Sequence, residues 1–342
     1  MLSSPEASTS TLESELVDDS WTPSDAASRV RRVWTPDLLM DSWSTVAVRA
    51  SVLLRDEWRS DSVARLRQLD ADVCELLASE PNGSLLWLVH HNTREPQNYS
   101  VLHALLVTAV CELTSDYLTN MSADMRASAR LAALTMNLSI TRLQDELARQ
   151  QTPVTEDQRA ALSDHGARAA ASLGESGVSD PLWLGAVDHH HSAPAGTLES
   201  LEPMMQIARL VRKADIFAAR LSPRGVRHAL AANEAAKGIF LNEQQAPDET
   251  GGAIIKAVGI YVPGSSVLLR SGEVAVVVRR GLLANQPLVA SISNPQGMPL
   301  SDPRLRDCQQ SAHAVASGLP PHQRRVCVAL GPLLRLAKQA GT

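Results

Sequence analysis

The sequence predicts a mainly α-helical protein: a helical bundle with an N-terminal helical segment and a small C-terminal antiparallel β appendage. Apolar residues recur at helical spacing through most of the first 240 positions. Near Gly251 the period changes, and the segment that follows is rich in Val and Ile. Only 3% of the residues are aromatic, so the core must be mainly aliphatic.

The N-terminal part divides into two segments. Residues 1–25 are rich in Ser, Thr, Glu and Asp, a composition that predicts disorder. Residues 26–90 form the N-terminal helical segment, in which "SVARLRQLDADVCELLAS" places six aliphatic residues at helical spacing. The "PNG" at Pro81–Gly83 predicts a break.

Residues 91–250 form the predicted bundle. The stretch Tyr99–Leu118 is apolar nearly all round, which predicts a buried helix. Thr155 and Gln158 have the spacing of a capping box. Asp180–Pro181 starts another helix, and Ser222–Pro223 ends the one that contains Asp215.

Residues 251–342 form the predicted β appendage and a closing helix. "AVGIYVPGSSVLLRSGEVAVVVRRG" predicts two or three antiparallel strands, because Pro263–Gly264 and Ser271–Gly272 interrupt it as turns. "PLVASIS" predicts another strand, and "PHQRRVCVALGPLLRLAKQ" a helix.

Composition limits the function. The net charge is −5, which gives no support for binding to a nucleic-acid polymer. Neither a signal peptide nor a run long enough to span a bilayer is present, so we expect a cytoplasmic protein without a membrane partner. We expect the four scattered cysteines to be buried free thiols in a reducing compartment: Cys74, Cys111, Cys308 and Cys327.

Polar residues on otherwise apolar helices are the candidate metal ligands. Imidazoles and a carboxylate together suit zinc, iron or manganese. The candidate set, drawn from separate helices, is His103, His165, His189, His190 and Asp215.

Each candidate also has an ordinary structural explanation. His103 is explained equally well as a satisfied core histidine. Asp215 could pair with Arg212 or Arg220. The "HHH" run could be an exposed helix end, where the dipole favours histidine.

Taken in order, these landmarks resemble the HD-GYP family, bacterial metal-dependent phosphodiesterases for cyclic di-GMP. The landmarks are His103, "AALTMN", His165 after a capping box, "HHH" and "KADIFAARLSPRGVR", over about residues 95–245. The resemblance implies an HD-domain helical bundle. It also implies that the five candidates are metal ligands and that Arg224 and Arg227 face substrate phosphate.

The departures from the family pattern bear on catalysis. Met136 and Asn137 replace the His-Asp pair, and Ser139-Ile140 replaces a Gly-Lys. Tyr99 stands where some members have a carboxylate ligand, and His191 where the family has an acid. "SAPAGTLES" replaces the GYP loop.

These departures predict a loss of efficient hydrolysis. The aspartate of the pair bridges two metals that clamp the phosphodiester, and the neutral amide of Asn137 cannot do so. The remaining ligands could hold one divalent ion (iron, manganese or zinc) or none. Because successive helical residues diverge by about 100°, we expect His189 and His190 to face the site and His191 to point away.

Three hypotheses remain open. The chain is a degenerate signalling module that binds cyclic di-GMP or a related nucleotide and a protein partner, with homodimerisation also allowed. Alternatively, it is a metal-dependent phosphohydrolase with a rearranged site. In the third hypothesis it is a scaffold whose histidines are structural.

Overall fold

The computed structural model describes residues 34–340 except 57, 59, 60, 193, 195 and 243–245. It confirms a mainly helical protein with a small antiparallel sheet at the C-terminus. The predicted disorder of residues 1–25 lies outside the described residues. No helix in the described part of the chain is both long and apolar enough to cross a membrane.

Helices make up the chain as far as residue 258. Their bounds are α1 Pro36–Arg55, α2 Ser62–Ser79, α3 Pro81–Asn92, α4 Tyr99–Ser115, α5 Ala123–Thr135, α6 Thr141–Arg149, α7 Glu156–Ser163, α8 His165–Glu175, α9 Pro181–His189, α10 Pro203–Leu221, α11 Ala232–Phe240 and α12 Glu249–Val258. A one-turn 3₁₀ helix, Leu138–Ile140, joins α5 to α6.

The sheet follows, with strands β1 Ser266–Leu269, β2 Val274–Arg279, β3 Leu288–Ser293, β4 Pro299–Asp307 and β5 Val315–Leu319, and helix α13 Leu330–Gln339 closes the chain. The strand order is β4-β3-β2-β1-β5, and every neighbouring pair is antiparallel.

Helix α4 is the centre of the bundle. It is buried from Tyr99 to Cys111, as its uniformly apolar sequence predicts, and it packs against α3, α5, α10 and α12. The N-terminal helices and the inner face of the sheet belong to the same hydrophobic core, to which α1 contributes Trp43 and β2 contributes Val276. A single core therefore holds the helices that carry the candidate residues.

Several local predictions are confirmed. Thr155 and Gln158 form the reciprocal capping box at the start of α7. The Asp180 side chain accepts from the backbone of Leu182 at the start of α9. Helix α10 ends at Leu221, directly before Ser222.

Other local predictions need correction. The break predicted at Pro81–Gly83 lies one residue earlier, at Glu80 (φ −141°, ψ 71°), and Pro81–Gly83 form the first turn of α3, where proline lacks only an N–H that would have no partner. The boundary at residue 250 falls inside α12. There, a Cβ on Gly251 would lie 2.1 Å from the carbonyl oxygen of Ile239, so this glycine allows α12 to approach α11 closely.

The cysteines are free, as expected, but they are not all buried. Cys111 and Cys308 are buried, Cys74 is half-buried and Cys327 is exposed. Burial raises the pKa of the Cys308 thiol to about 12, which makes that thiol inert as a nucleophile at neutral pH.

Candidate metal centre

Four helices bring the candidate residues together. His165 opens α8, His190 and His191 follow the last turn of α9, and His103 lies on α4. Asp215 lies on α10. Helix α9 packs against both α8 and α10, and α10 packs against α4, so these residues share one end of the bundle.

Three imidazoles converge there. The Nε2 atom of His165 lies 3.2 Å from Nε2 of His190 and 3.1 Å from Nε2 of His191. One ligand atom from each ring lies within 4.8 Å of the other two. His165 and His190 are buried, whereas His191 is exposed. We call His165, His190 and His191 the histidine triad; it opens to solvent on the His191 side.

Backbone carbonyls fix the two buried rings. Nδ1 of His165 lies 2.8 Å from the carbonyl oxygen of Leu162, and Nδ1 of His190 lies 2.7 Å from that of Val187. A carbonyl oxygen only accepts, so each Nδ1 carries a proton, which leaves the two Nε2 lone pairs facing each other. Two facing lone pairs repel unless a cation lies between them.

This arrangement fits a metal ion. Protein histidines that bind metals commonly donate their other ring N–H to a carbonyl. Zinc–nitrogen bonds of about 2.0–2.1 Å in a tetrahedral site place the nitrogens about 3.3 Å apart, close to the two separations from Nε2 of His165. The histidine triad could therefore hold one metal ion.

Protonation does not compete strongly with a metal at neutral pH. Burial, reinforced by the charge of His191, lowers the pKa of His190 to about 4. Desolvation and the neighbouring His165 also lower the pKa of His191. Both rings are therefore neutral near pH 7, the state that binds metal ions.

A glycine allows the two helices to approach. A Cβ on Gly166 would lie 2.9 Å from the carbonyl oxygen of Val187, 3.0 Å from that of Asp188 and 3.3 Å from Cε1 of His190. The start of α8 also receives a hydrogen bond from Ser139, whose hydroxyl donates to the carbonyl oxygen of His165 at 2.8 Å. Gly166 and Ser139 therefore set the geometry of the triad without belonging to it.

Beside the triad, His103 and Asp215 pair with each other. Nε2 of His103 lies 2.7 Å from Oδ1 of Asp215, and the ring of Tyr99 stacks on His103 with centroids 5.3 Å apart. Nδ1 of His103 is buried and has no partner among the described residues. Asp215 thus bonds to a histidine rather than to a neighbouring arginine.

The electrostatics connect this pair to the triad. Burial alone would raise the pKa of Asp215, but the hydrogen bond and charge of His103 outweigh it and hold that pKa below its ordinary value. His190 and His191 lower it further. All five residues therefore contribute to one polar centre.

The expected roles of His189 and His191 are exchanged. The side chain of His189 is 45% exposed and lies near Asp188, 3.9 Å from Nε2 to Oδ2. His190 keeps a helical backbone (φ −64°, ψ −12°), and the turn after it folds His191 back until its ring centroid lies 4.0 Å from that of His190. The angle of about 100° between successive helical residues does not apply to all three histidines, because the helix ends at His189, within the run.

The two predicted phosphate-binding arginines differ in their contacts. Cζ of Arg224 lies 5.6 Å from the centroid of Tyr99, beside the His103–Asp215 pair. Arg227 is exposed, and its guanidinium donates to the carbonyl oxygen of Ala219 at the end of α10, at 2.5 Å. Of the two arginines, only Arg224 lies over the ring of Tyr99, which in turn stacks on His103 of the polar centre.

Met136 and Asn137 lie where α5 ends. Met136 is fully buried in the core, and the carbonyl oxygen of Asn137 accepts from Thr141 at 3.2 Å. The adjacent Thr135 accepts a hydrogen bond from Nε1 of Trp183 on α9 at 2.9 Å. The Met-Asn pair thus lies between two hydrogen bonds, one from Trp183 of α9 to Thr135 and one from Ser139 to His165 of α8. Neither residue of the pair offers an imidazole or a carboxylate as a metal ligand.

Sequence reasoning missed His191 as a member of the triad and Gly166 as its spacer. A signal existed for Gly166, since a glycine directly after a candidate ligand in a helix indicates close packing.

No protein-family model matches the chain, and neither a curated protein nor a solved structure is significantly similar to it.

Proposed function

We propose that the chain is a degenerate relative of the HD-GYP phosphodiesterases. In this proposal it keeps one metal site but lacks efficient hydrolysis, and it acts as a module that binds a nucleotide such as cyclic di-GMP and a protein partner. The observation that carries the proposal is the convergence of three Nε2 atoms in the histidine triad beside a closed His103–Asp215 pair.

The pairing of His103 with Asp215 supports a single ion. These are two of the residues that the resemblance makes metal ligands, and each satisfies the other at 2.7 Å. The residue that would bridge two ions by the same resemblance is Asn137, whose amide carries no charge. Clamping a phosphodiester between two metals requires that bridge.

The arginine beside the centre supports an anionic ligand. Arg224 lies over the face of Tyr99 next to the polar centre. A guanidinium binds phosphate oxygens in a bidentate manner. A phosphate of the nucleotide bound at Arg224 would lie close to Tyr99, which stacks on His103 of the polar centre.

Metal content and cyclic di-GMP binding, measured on the purified full-length chain, test the proposal. We expect about one equivalent of a transition metal, binding of cyclic di-GMP by calorimetry that weakens in Arg224→Gln, and no turnover above buffer. Arg149→Gln is the control, because Arg149 lies on α6 and donates to the Asp145 carbonyl. Metal-dependent hydrolysis at an enzymatic rate would contradict the proposal.

One observation favours a second candidate, a one-metal phosphohydrolase. His191 is exposed, so a triad-bound ion would have a coordination position open to solvent. Three protein ligands and an open position are typical of catalytic zinc sites, where the ion lowers the pKa of bound water. Hydrolysis that is lost on chelation and in His191→Ala would select this candidate.

A further inference from the structure

Arg324 lies where the C-terminal part of the chain meets the bundle. It lines a small cavity of about 20 Å³. The walls come from the end of α3, the connection between α10 and α11, and the turn before β1. None of these residues belongs to the polar centre described above.

The charge of Arg324 is not balanced by an acid. Its side chain is half-buried and donates to Ser266 Oγ at 3.3 Å. Among the described residues no carboxylate forms an ion pair with Arg324 or with its electrostatic neighbour Arg94. The closest acid along the chain to Arg94, Glu95, turns to His91 instead, with Oε1 2.5 Å from Nδ1.

The surroundings add to the positive potential. Burial and the charge of Arg94 lower the pKa of Arg324. Burial, followed by the charges of Arg94, His91 and Arg324, lowers the pKa of His90 to about 3. A half-buried cation in such a place is unfavourable unless an anion accompanies it.

A second, independent feature of the cavity is an unsatisfied donor. The hydroxyl of Ser265 is buried and has no hydrogen-bond partner within the described part of the chain, and Ser265 lines the same cavity. Buried hydroxyls nearly always have partners. An acceptor in the cavity would satisfy both Ser265 and Arg324.

The size of the cavity limits the occupant. A site of roughly 10–15 Å³ by this measure holds one water molecule, so 20 Å³ admits a water or a monatomic anion and excludes phosphate. Water would satisfy Ser265 but leave the charge of Arg324 unbalanced. We propose that a chloride ion binds in this cavity between Arg324 and Ser265 and fastens the β appendage to the bundle.

Thermal unfolding of the full chain tests the site. In sodium chloride, compared with sodium gluconate at equal ionic strength, the midpoint should rise by a few degrees and saturate, because the ion binds only the folded state. Bromide should replace chloride. Arg324→Gln should remove the difference between the two salts. Arg325→Gln, which removes the exposed neighbouring arginine, should keep it.

A direct measurement of binding accompanies the melting curves. The ³⁵Cl NMR line of a chloride solution should broaden on adding wild-type protein and not on adding the Arg324→Gln variant. Ser265→Ala, a milder change in case Arg324→Gln does not fold, should weaken the chloride dependence several-fold. Equal midpoints in the two salts for the wild type would overturn the proposal and indicate a water. A chloride dependence in Arg324→Gln and Ser265→Ala as large as in the wild type would overturn it as well.

Discussion

Nε2 of His103 lies 2.7 Å from Oδ1 of Asp215, so these two candidate metal ligands form a hydrogen bond with each other. His103 is buried, and one fifth of the Asp215 side chain remains exposed. The His103–Asp215 pair therefore contributes to the stability of the fold as well as to the polar centre.

This pairing predicts that Asp215→Ala affects stability more than metal content. The variant leaves a buried imidazole without its partner, which should lower the free energy of unfolding by about 2–4 kcal/mol. Metal bound per folded chain should stay unchanged. Urea unfolding and elemental analysis measure the two effects, and Asp188→Ala, an exposed carboxylate, is the control. Loss of metal from a folded Asp215→Ala variant would show that Asp215 is a ligand.

Metal binding should depend on the histidine triad and not on the neighbouring histidine. Single alanine variants of His165, His190 and His191 should each bind the ion at least tenfold more weakly, because each removes one of three converging nitrogens. His189→Ala is the matched control, since His189 is adjacent in sequence and half-exposed. Competition with a chromogenic chelator gives the affinities. Equal losses in the His189 and His190 variants would contradict the geometry.

Two glycines of α8 should respond in opposite ways to alanine. In Gly166→Ala the new Cβ would contact the carbonyl oxygens of Val187 and Asp188, which are backbone atoms that cannot turn aside. We expect a loss of about 1–3 kcal/mol together with weaker metal binding. A Cβ on Gly174 would meet nothing within 4 Å, so Gly174→Ala should gain about 0.5–1 kcal/mol. Thermal unfolding with and without chelator measures both effects. A Gly166→Ala variant with unchanged stability and metal binding would refute the role of Gly166 in the close approach of α8 to α9.

Restoring the missing pair tests the family resemblance. The double variant Met136→His, Asn137→Asp should raise the metal content from about one to about two per chain, if the His103–Asp215 pair opens to accept the second ion. Burial of Met136 makes some loss of stability certain, so Met136→Leu, Asn137→Leu is the control for packing. An unchanged metal content in a folded double variant would count against the HD-type arrangement.

His90 predicts a dependence of stability on pH. Its folded pKa of about 3 lies below the ordinary value near 6.5 because of burial and of the charges of Arg94, His91 and Arg324. Between these two values the unfolded chain binds the extra proton, so stability should fall as the pH drops from 6.5 toward 3, by up to a few kcal/mol. His90→Gln should reduce the slope over that window, where His190 contributes in the same direction, and leave the profile unchanged above pH 7. Parallel profiles for the two proteins in urea titrations would exclude His90 as the cause.

Short-range patterns in the sequence were sufficient to predict the helical part of the fold. The capping box at Thr155 and Gln158 and the Asp180 cap are short-range patterns, and both are present. Long-range packing explains the errors. The change of period near Gly251 predicts the end of the helical region there, but α12 continues to Val258, and the missing Cβ of Gly251 accommodates the carbonyl of Ile239. Strand β4 was missed because Pro299 and Pro303 interrupt its pattern, which an edge strand tolerates.

The candidate site was predictable only in outline. The polar residues on otherwise apolar helices predicted the set His103, His165, His189, His190 and Asp215, and the structure brings all of these except His189 together. Which histidine of the run turns inward depends on where α9 stops, and helix ends are the least certain feature of any sequence-based prediction. The direct bond between His103 and Asp215 is a tertiary contact between residues 112 positions apart, beyond the reach of spacing arguments.

The histidine triad spans only 27 consecutive positions, from His165 through α8 and α9 to His191. An ion bound there would close a short loop, so its chelate ring belongs to one helical hairpin and not to the whole chain. Partial unfolding that detached the sheet or the N-terminal helices would leave this chelate intact. During denaturation the metal should therefore stay bound after the sheet and the N-terminal helices have unfolded. The excised α8–α9 hairpin is the smallest fragment in which metal binding can be measured.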